Sequence, residues 1–331
     1  MLMMPLKSKL KDTLITKGRT LYFNEEEHSY TDNLGSSYIS TTTIIGRYHD
    51  KFNKDAIATA CERIGKNPNH PKYIKYKGKT AKQLIYQWEE ETKLACNRGS
   101  KKHNYLENTI KSCNGYTLTA NGFINDKIYT IDDIIKGHSY GKLSLEYFKR
   151  IGIDQIYPQI YSIISELVNS GFKIYAEIGV YDPEYGVSGL IDILLVKGKE
   201  FIILDWKTNK APIRFESGYY DKDKYGHLLL DNFILTPDKT FHAPINHLPD
   251  SIGNHYTMQL STYDYLVESF GFKNITNILC HIRRIEDFNI NTDEEKEEVS
   301  FLPIKYLKDE VRDMFNDYCS KNVSKQKLFL L

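Results

Sequence analysis

The sequence predicts an α/β protein: a mixed central sheet flanked by helices, preceded by a largely helical N-terminal region. Three observations predict it. Three strand-like runs follow one another from Lys173 to Asp205, rich in apolar residues and separated by short turn signals. A helical pattern at His255–Phe270 then leads into another strand-like run at Asn274–Arg283. Upstream, Asp55 to about Asn114 and Leu143 to Asn169 carry helical spacing instead.

The elements follow in order. Residues 1–20 form a basic N-terminal arm. Lys7, Lys9, Lys11, Lys17 and Arg19 stand against one acid, Asp12, and a flexible arm is a simpler reading than an organellar presequence. Residues 21–170 are a hairpin plus a helical region. Leu21–Tyr30 and Ser36–Ile45 flank the turn-like Asp32-Asn33-Leu34-Gly35, and the β-branched run Thr41–Ile45 is read with the hairpin. Ala81, Leu84, Ile85, Trp88, Thr92 and Ala95 then recur at roughly 3.6-residue spacing, while Gly115–Gly141 is weakly patterned. Residues 171–331 form the core. Lys173–Tyr181, Val187–Val196 and Glu200–Asp205 read as strands, the last two joined by a tight turn at Lys197-Gly198-Lys199. Thr208–Gly253 is long, polar and aromatic, and reads as an insertion at about 208–253. Asp293–Glu298 reads as a solvated acidic loop, and Leu307–Tyr318 as a closing amphipathic helix.

Composition narrows the function classes. The 331 residues are 41% hydrophobic, which suits a globular core with a helical annex and not a disordered chain. No run approaches the ~18 apolar residues of a membrane span, so no membrane partner is expected. The five cysteines, Cys61, Cys96, Cys113, Cys280 and Cys319, are scattered without a Cys-x-x-Cys pair. That argues against a zinc ribbon or an iron–sulfur cluster and for a reduced, cytoplasmic compartment, the host's if the chain is phage-encoded. The net charge of +1 does not announce a nucleic-acid partner, although a local basic groove can hide beneath a neutral total.

Asp192 lies in the middle of the apolar run Val187–Val196, where a carboxylate is costly unless something pairs with it. The next run is apolar until it ends in Asp205-Trp206-Lys207. Period two puts Asp205 and Lys207 on one face and Trp206 on the other, in the core. The short turn makes the two strands antiparallel and sets Asp192 almost opposite Asp205. Two such carboxylates repel unless a cation sits between them, and oxygen ligands suit Mg²⁺ or Mn²⁺. Lys207 can orient or deprotonate a water and stabilise charge on a phosphate. Glu177, in the preceding strand, is a third acid in apolar surroundings. For any one of these residues alone a strand-end salt bridge is the simpler account; for the combined spacing it is not.

The motifs Gly189-x-x-Asp192 and Asp205-x-Lys207 resemble those of the PD-(D/E)XK nuclease superfamily. Gln259-Leu-Ser-Thr-Tyr263 is similar to the Gln-x-x-x-Tyr helix of its RecB-like branch, and positions four apart share a helix face. Gly99-Ser100-Lys101-Lys102-His103 with Glu107 resembles that branch's upstream histidine motif. Ser40–Gly46 is similar to a segment of phage recombination nucleases and mitochondrial genome maintenance exonucleases. The resemblance covers most of Leu21–Arg284. It implies a restriction-endonuclease-like fold and a Mg²⁺-dependent deoxyribonuclease without an iron–sulfur cluster. Asp192, Asp205, His103 and Glu177 would serve the metal, Lys207 would activate water, Gln259 would position Lys207 or the DNA backbone, and Tyr263 would face the substrate strand. The implied substrate is DNA, single-stranded or with free ends, in replication, recombination or repair. A helicase, recombinase or single-strand-binding protein stands as a candidate partner. The chain itself has no Gly-x-x-x-x-Gly-Lys-(Ser/Thr) loop and so no helicase motor.

Lys101, Lys102, Arg283 and Arg284 flank these motifs and are candidate phosphate contacts, with ordinary solvated charge an equal alternative. Tyr219, Tyr220 and Tyr225 are candidates for base stacking or loop packing. His242, His247 and His255 fit no compact ligand spacing and read as surface histidines. The rival readings are a structure-selective or nicking endonuclease, a catalytically idle DNA-binding module, and a nuclease subunit that works only within an assembly.

Overall fold

The computed structural model describes the backbone of residues 15–24, 27, 29–113, 126–137, 145–223, 227–285 and 296–328, and side chains within these ranges except at 111–128 and 322–328. Tyr225, and the acidic stretch up to residue 295, lie outside the described residues.

Among the described residues nine strands form one mixed sheet. β1 (Leu21–Asn24), β2 (Ser29–Asp32) and β3 (Ser37–Ser40) make an antiparallel meander. The Asp32 carboxylate accepts from the backbone N–H groups of Leu34 and Ser36, which builds the expected turn between β2 and β3. Thr41–Ile45 departs from the strand reading and forms α1. Ser40 caps it by accepting from Thr43 N, and Ile44 and Ile45 gain full burial, which outweighs their β-branched preference.

The helical region comprises α2 (Lys54–Ile64), α3 (Tyr73–Tyr76) and the 33-residue α4 (Ala81–Cys113). The expected helical face of α4 is only thinly used, since Leu84 is buried while Thr92 and Ala95 are exposed. β4 (Asp126–Ile128) pairs with β1. α5 (Ile131–Ile135), α6 (Leu145–Arg150), α7 (Ile153–Ile156) and α8 (Pro158–Asn169) follow.

The core strands are β5 (Lys173–Asp182), β6 (Val187–Lys197) and β7 (Glu200–Lys207), successive antiparallel neighbours as expected. The insertion folds as a separate hairpin, β8 (Gly218–Lys222) with β9 (Leu228–Leu235), tied to the helical region by the Lys72–Asp221 ion pair at 3.2 Å. α9 (Ile252–Glu268) then crosses back to β10 (Lys273–Arg284), which lies parallel to β7. β11 (Glu297–Ile304) pairs antiparallel with β10, and α10 (Lys308–Leu328) closes the chain. β11 corrects the acidic-loop reading at its end: Glu297 and Glu298 are strand residues, neutralised by Lys102 and Arg283 respectively.

Two apolar cores cover the two sheet faces. On one, Phe201 and Ile203 of β7 pack with Met258, Leu260 and Leu266 of α9 and with Met314 and Phe315 of α10. On the other, Ile202, Leu204 and Trp206 pack with Leu106 and Ile110 of α4 and with α8. Burying both faces explains why β6 and β7 read as continuous apolar runs. The end of the basic arm is anchored: Lys17 pairs with Asp182 at 2.7 Å and Arg19 with Asp32 at 3.2 Å, so these two cations are structural. Among the described residues no helix is long and apolar enough to cross a membrane.

Candidate metal centre and cleft

β6 is flanked along one edge by β5, while its other edge is shared. β3 pairs only with Val187 and Ser188, and β7 only from Ile193 onward. The gap between them, Gly189 to Asp192, is where the site forms. Gly189 stands there because a Cβ would lie 2.4 Å from Tyr263 Cε1 and 2.8 Å from Thr41 Oγ1. The α1 segment is held at the same place by the Thr41 hydroxyl, which donates to the Ser188 carbonyl at 3.1 Å.

Carrying the β6–β7 register one step past Ile193↔Leu204 puts Asp192 opposite Asp205, as the turn geometry predicts. The ladder stops just before them, and Asp192 Oδ2 instead accepts from Trp206 N at 2.9 Å. Across the other edge, the register Ala176↔Ile193 and Ile178↔Ile191 puts Glu177 level with Asp192. Glu177 breaks that ladder with φ 52, a left-handed conformation rare in non-glycine residues and characteristic of strained functional positions. Three acids therefore run in a row across β5, β6 and β7.

Helix α4 brings His103 to this row. His103 Nδ1 lies 3.5 Å from Asp192 Oδ2 and 3.7 Å from Glu107 Oε1. The ligand atoms of His103, Glu107 and Asp192 all fall within 4.8 Å of one another. Glu107, 4% exposed, is thus a site residue beyond the expected ligand set; its signal was its i+4 spacing from His103. α4 can pass close because Gly99 has no side chain: a Cβ would meet Thr208 Oγ1 at 3.1 Å.

The electrostatics reflect crowded acids. Burial, and then the Asp205 charge, push Asp192 up from 3.8 to about 7. Burial disfavours a charged His103, but Glu107 and Asp192 more than reverse this and raise its pKa. Burial likewise opposes a charged Lys207, yet Asp205 and Asp192 hold it raised as an ammonium. Lys207 pairs directly with the Asp205 carboxylate and lies 4.6 Å from the Tyr256 ring centroid. In the metal-free protein a lysine held charged is a donor, which suits orientation of a water and charge stabilisation.

Gln259 Oε1 accepts from Lys207 Nζ at 3.3 Å, and Gln259 Nε2 donates to the Tyr263 hydroxyl at 3.0 Å. Tyr263 is 4% exposed, wedged against Gly189, so it supports β6 instead of facing a substrate. Trp206 is fully buried, as expected. Of the candidate phosphate contacts, Lys101 is exposed on α4 and Arg284 is half-buried. Lys102 is engaged with Tyr157 and, at 2.9 Å, with Glu297, and Arg283 is engaged with Glu298 at 2.5 Å. Tyr220 is buried and Tyr219 exposed. His242 and His247 pair with Asp50 and Glu310.

A cleft of about 690 Å³ opens over His103 and Lys207, walled by Leu94, Arg98 and Gly99 of α4 on one side and by Asn209, Lys210 and Tyr256 on the other. Compared with protein-family models and with curated proteins, the chain finds no match.

Proposed function

We infer that this chain is a divalent-metal-dependent DNA nuclease of the PD-(D/E)XK type, in its RecB-like form. The observation that carries this reading is the convergence of Asp192, Asp205, Lys207 and His103, four residues from three elements, beside an open cleft that His103 and Lys207 line. Strand-end salt bridging accounts for Lys207 and Asp205 but not for His103 and Glu107 as well.

The donors fit a hard divalent cation. Asp192 and Asp205 stand opposite each other, one imidazole is within reach, and a half-buried carboxylate pushed up to about 7 is one short of positive charge. Asp192, His103 and Glu107, whose ligand atoms already cluster, would hold Mg²⁺ or Mn²⁺ together with Asp205 opposite Asp192, and Glu177 lies level with Asp192 on the other side. When bound, such an ion lowers the pKa of a water and neutralises charge developing on a phosphate.

The chain's own groups supply the rest. The Lys207 ammonium, aimed by Gln259 and Asp205, donates to a water or to a non-bridging phosphate oxygen. Arg98, Lys210 and Lys222 line the same cleft and offer charge to neighbouring phosphates. The substrate class is DNA, entering as a single strand or from an open end, in replication, recombination or repair. The test is cleavage of end-labelled linear and closed circular single-stranded DNA, and of an RNA control, in Mg²⁺ or EDTA. We expect Mg²⁺-dependent loss of linear DNA, reduced at least about a hundredfold in Lys207→Ala. Cutting of circles would reassign the chain to the endonucleases, and cleavage that survives Lys207→Ala would reject this site.

A further inference from the structure

A second cleft of about 710 Å³ adjoins the first, sharing Asn209 and Lys210 with it. On its wall three side chains distant in sequence meet. His49 comes from the connector between α1 and α2, Asp250 from the end of the insertion, and His255 from the first turn of α9. One ligand atom from each lies within 4.8 Å of the others. His255 Nε2 is 2.7 Å from Asp250 Oδ1, and the two imidazole rings meet edge to face with centroids 4.5 Å apart.

We propose that His49, Asp250 and His255 form a zinc site, separate from the Asp192 cleft, that ties the insertion and the α1–α2 connector to α9. Two imidazoles and one carboxylate are a three-ligand set suited to Zn²⁺, with a water in the fourth position. Tetrahedral zinc bonds of about 2.1 Å place neighbouring ligand atoms about 3.4 Å apart, so the present cluster reaches that spacing by small side-chain movements.

Three surrounding contacts fit a metal ligand shell. His49 Nδ1 lies 3.0 Å from the Asp50 carbonyl, so a proton on Nδ1 donates there and leaves Nε2 with a free lone pair. Ligating histidines are held by such a bond on the opposite ring nitrogen. Lys239 Nζ lies 2.9 Å from Asp250 Oδ2, which orients the carboxylate while leaving Oδ1 for the metal. Phe241 walls both rings, with centroids 4.7 Å from His255 and 6.4 Å from His49. The metal-free account, a Lys239–Asp250–His255 ion-pair chain, leaves His49 outside the chain, with its ring packed against His255 and Phe241. The zinc site stands or falls independently of the nuclease reading.

The test uses the full metal-stripped chain, titrated with Zn²⁺ by calorimetry and with Co²⁺ by visible absorption, with folding followed by circular dichroism. Because the other cluster, which contains His103, can also take zinc, His103→Ala serves as the background, alone and combined with His49→Gln or His255→Gln. We expect one zinc per chain and a tetrahedral cobalt spectrum in His103→Ala, and loss of both in the two double variants. Failure of His103→Ala to bind zinc, or binding that persists when His49→Gln is added to it, would each overturn the proposal. If the His255→Gln combination does not fold, the His49→Gln combination, on a half-buried connector residue, decides alone.

Discussion

At Asp192 the two demands on one carboxylate are opposed. Folding brings it level with Glu177 and Asp205 and takes most of it out of water, and its pKa rises from 3.8 to about 7. A carboxyl whose folded pKa exceeds its unfolded pKa binds a proton on folding, so in the metal-free protein its contribution turns against the fold as pH rises from about 4 through 7. Each pKa unit is about 1.4 kcal/mol, and sharing between the coupled groups reduces the whole to the order of 2 kcal/mol. Asp192→Asn keeps an oxygen for the Trp206 N–H and removes the charge. In EDTA at pH 8 it is expected to raise denaturant-measured stability by that order, with no gain at pH 4, while cleavage disappears. Equal stability at pH 8 would mean that the acids are already relieved by their neighbours. On the proposed nuclease reading, the same opposition predicts that cleavage falls, and the metal concentration needed for it climbs, as pH drops through 7.

Strand β6 and helix α9 set the spacing of the site, and their contact is a glycine against a tyrosine. Gly189→Ala is expected to cost about 3 kcal/mol, because the added methyl would lie 2.4 Å from the Tyr263 ring. Combined with Tyr263→Leu, the loss should be smaller than the sum of the single changes by at least about 1 kcal/mol. Strict additivity in a double-mutant cycle would show that this contact does not dictate the glycine. Legibility divides along similar lines. β5, β6, β7, α9 and β10 are readable because their period is sustained by burial on both sheet faces, and the Asp192–Asp205 pairing follows from one short turn. α1 is misread because its composition favours strand while a cap and burial decide for helix. β11 is misread because its opening acids look solvated, and their partners Lys102 and Arg283 are distant in sequence. The His49–Asp250–His255 cluster spans about 200 residues, so no local spacing could reveal it.

Across the whole molecule, the two large cores share the sheet, whereas α2, α3 and the first half of α4 rest on a small cluster of Ala58, Cys61 and Leu84. So little buried apolar surface makes this helical arm a separate opening unit. Native-state hydrogen exchange should show α2 amides exchanging well before those of α9. Leu84→Ala, at about 2 kcal/mol or more, should speed α2 exchange by roughly thirtyfold and leave α9 unchanged. A uniform acceleration would instead make the arm part of one cooperative unit with the core.

The length of α4 gives that arm a mechanical meaning. Leu106 and Ile110 are clamped in the core, while Tyr86 and Leu94 stand in solvent. At about 1.5 Å per residue, Tyr86 lies about 30 Å from the Leu106 fulcrum and His103 only about 4.5 Å from it. A tilt of about 5° moves the outer end by about 2.6 Å and the imidazole by about 0.4 Å. The helix is thus a reducing lever, and whatever leans on its far end trims the position of His103 in fractions of an ångström.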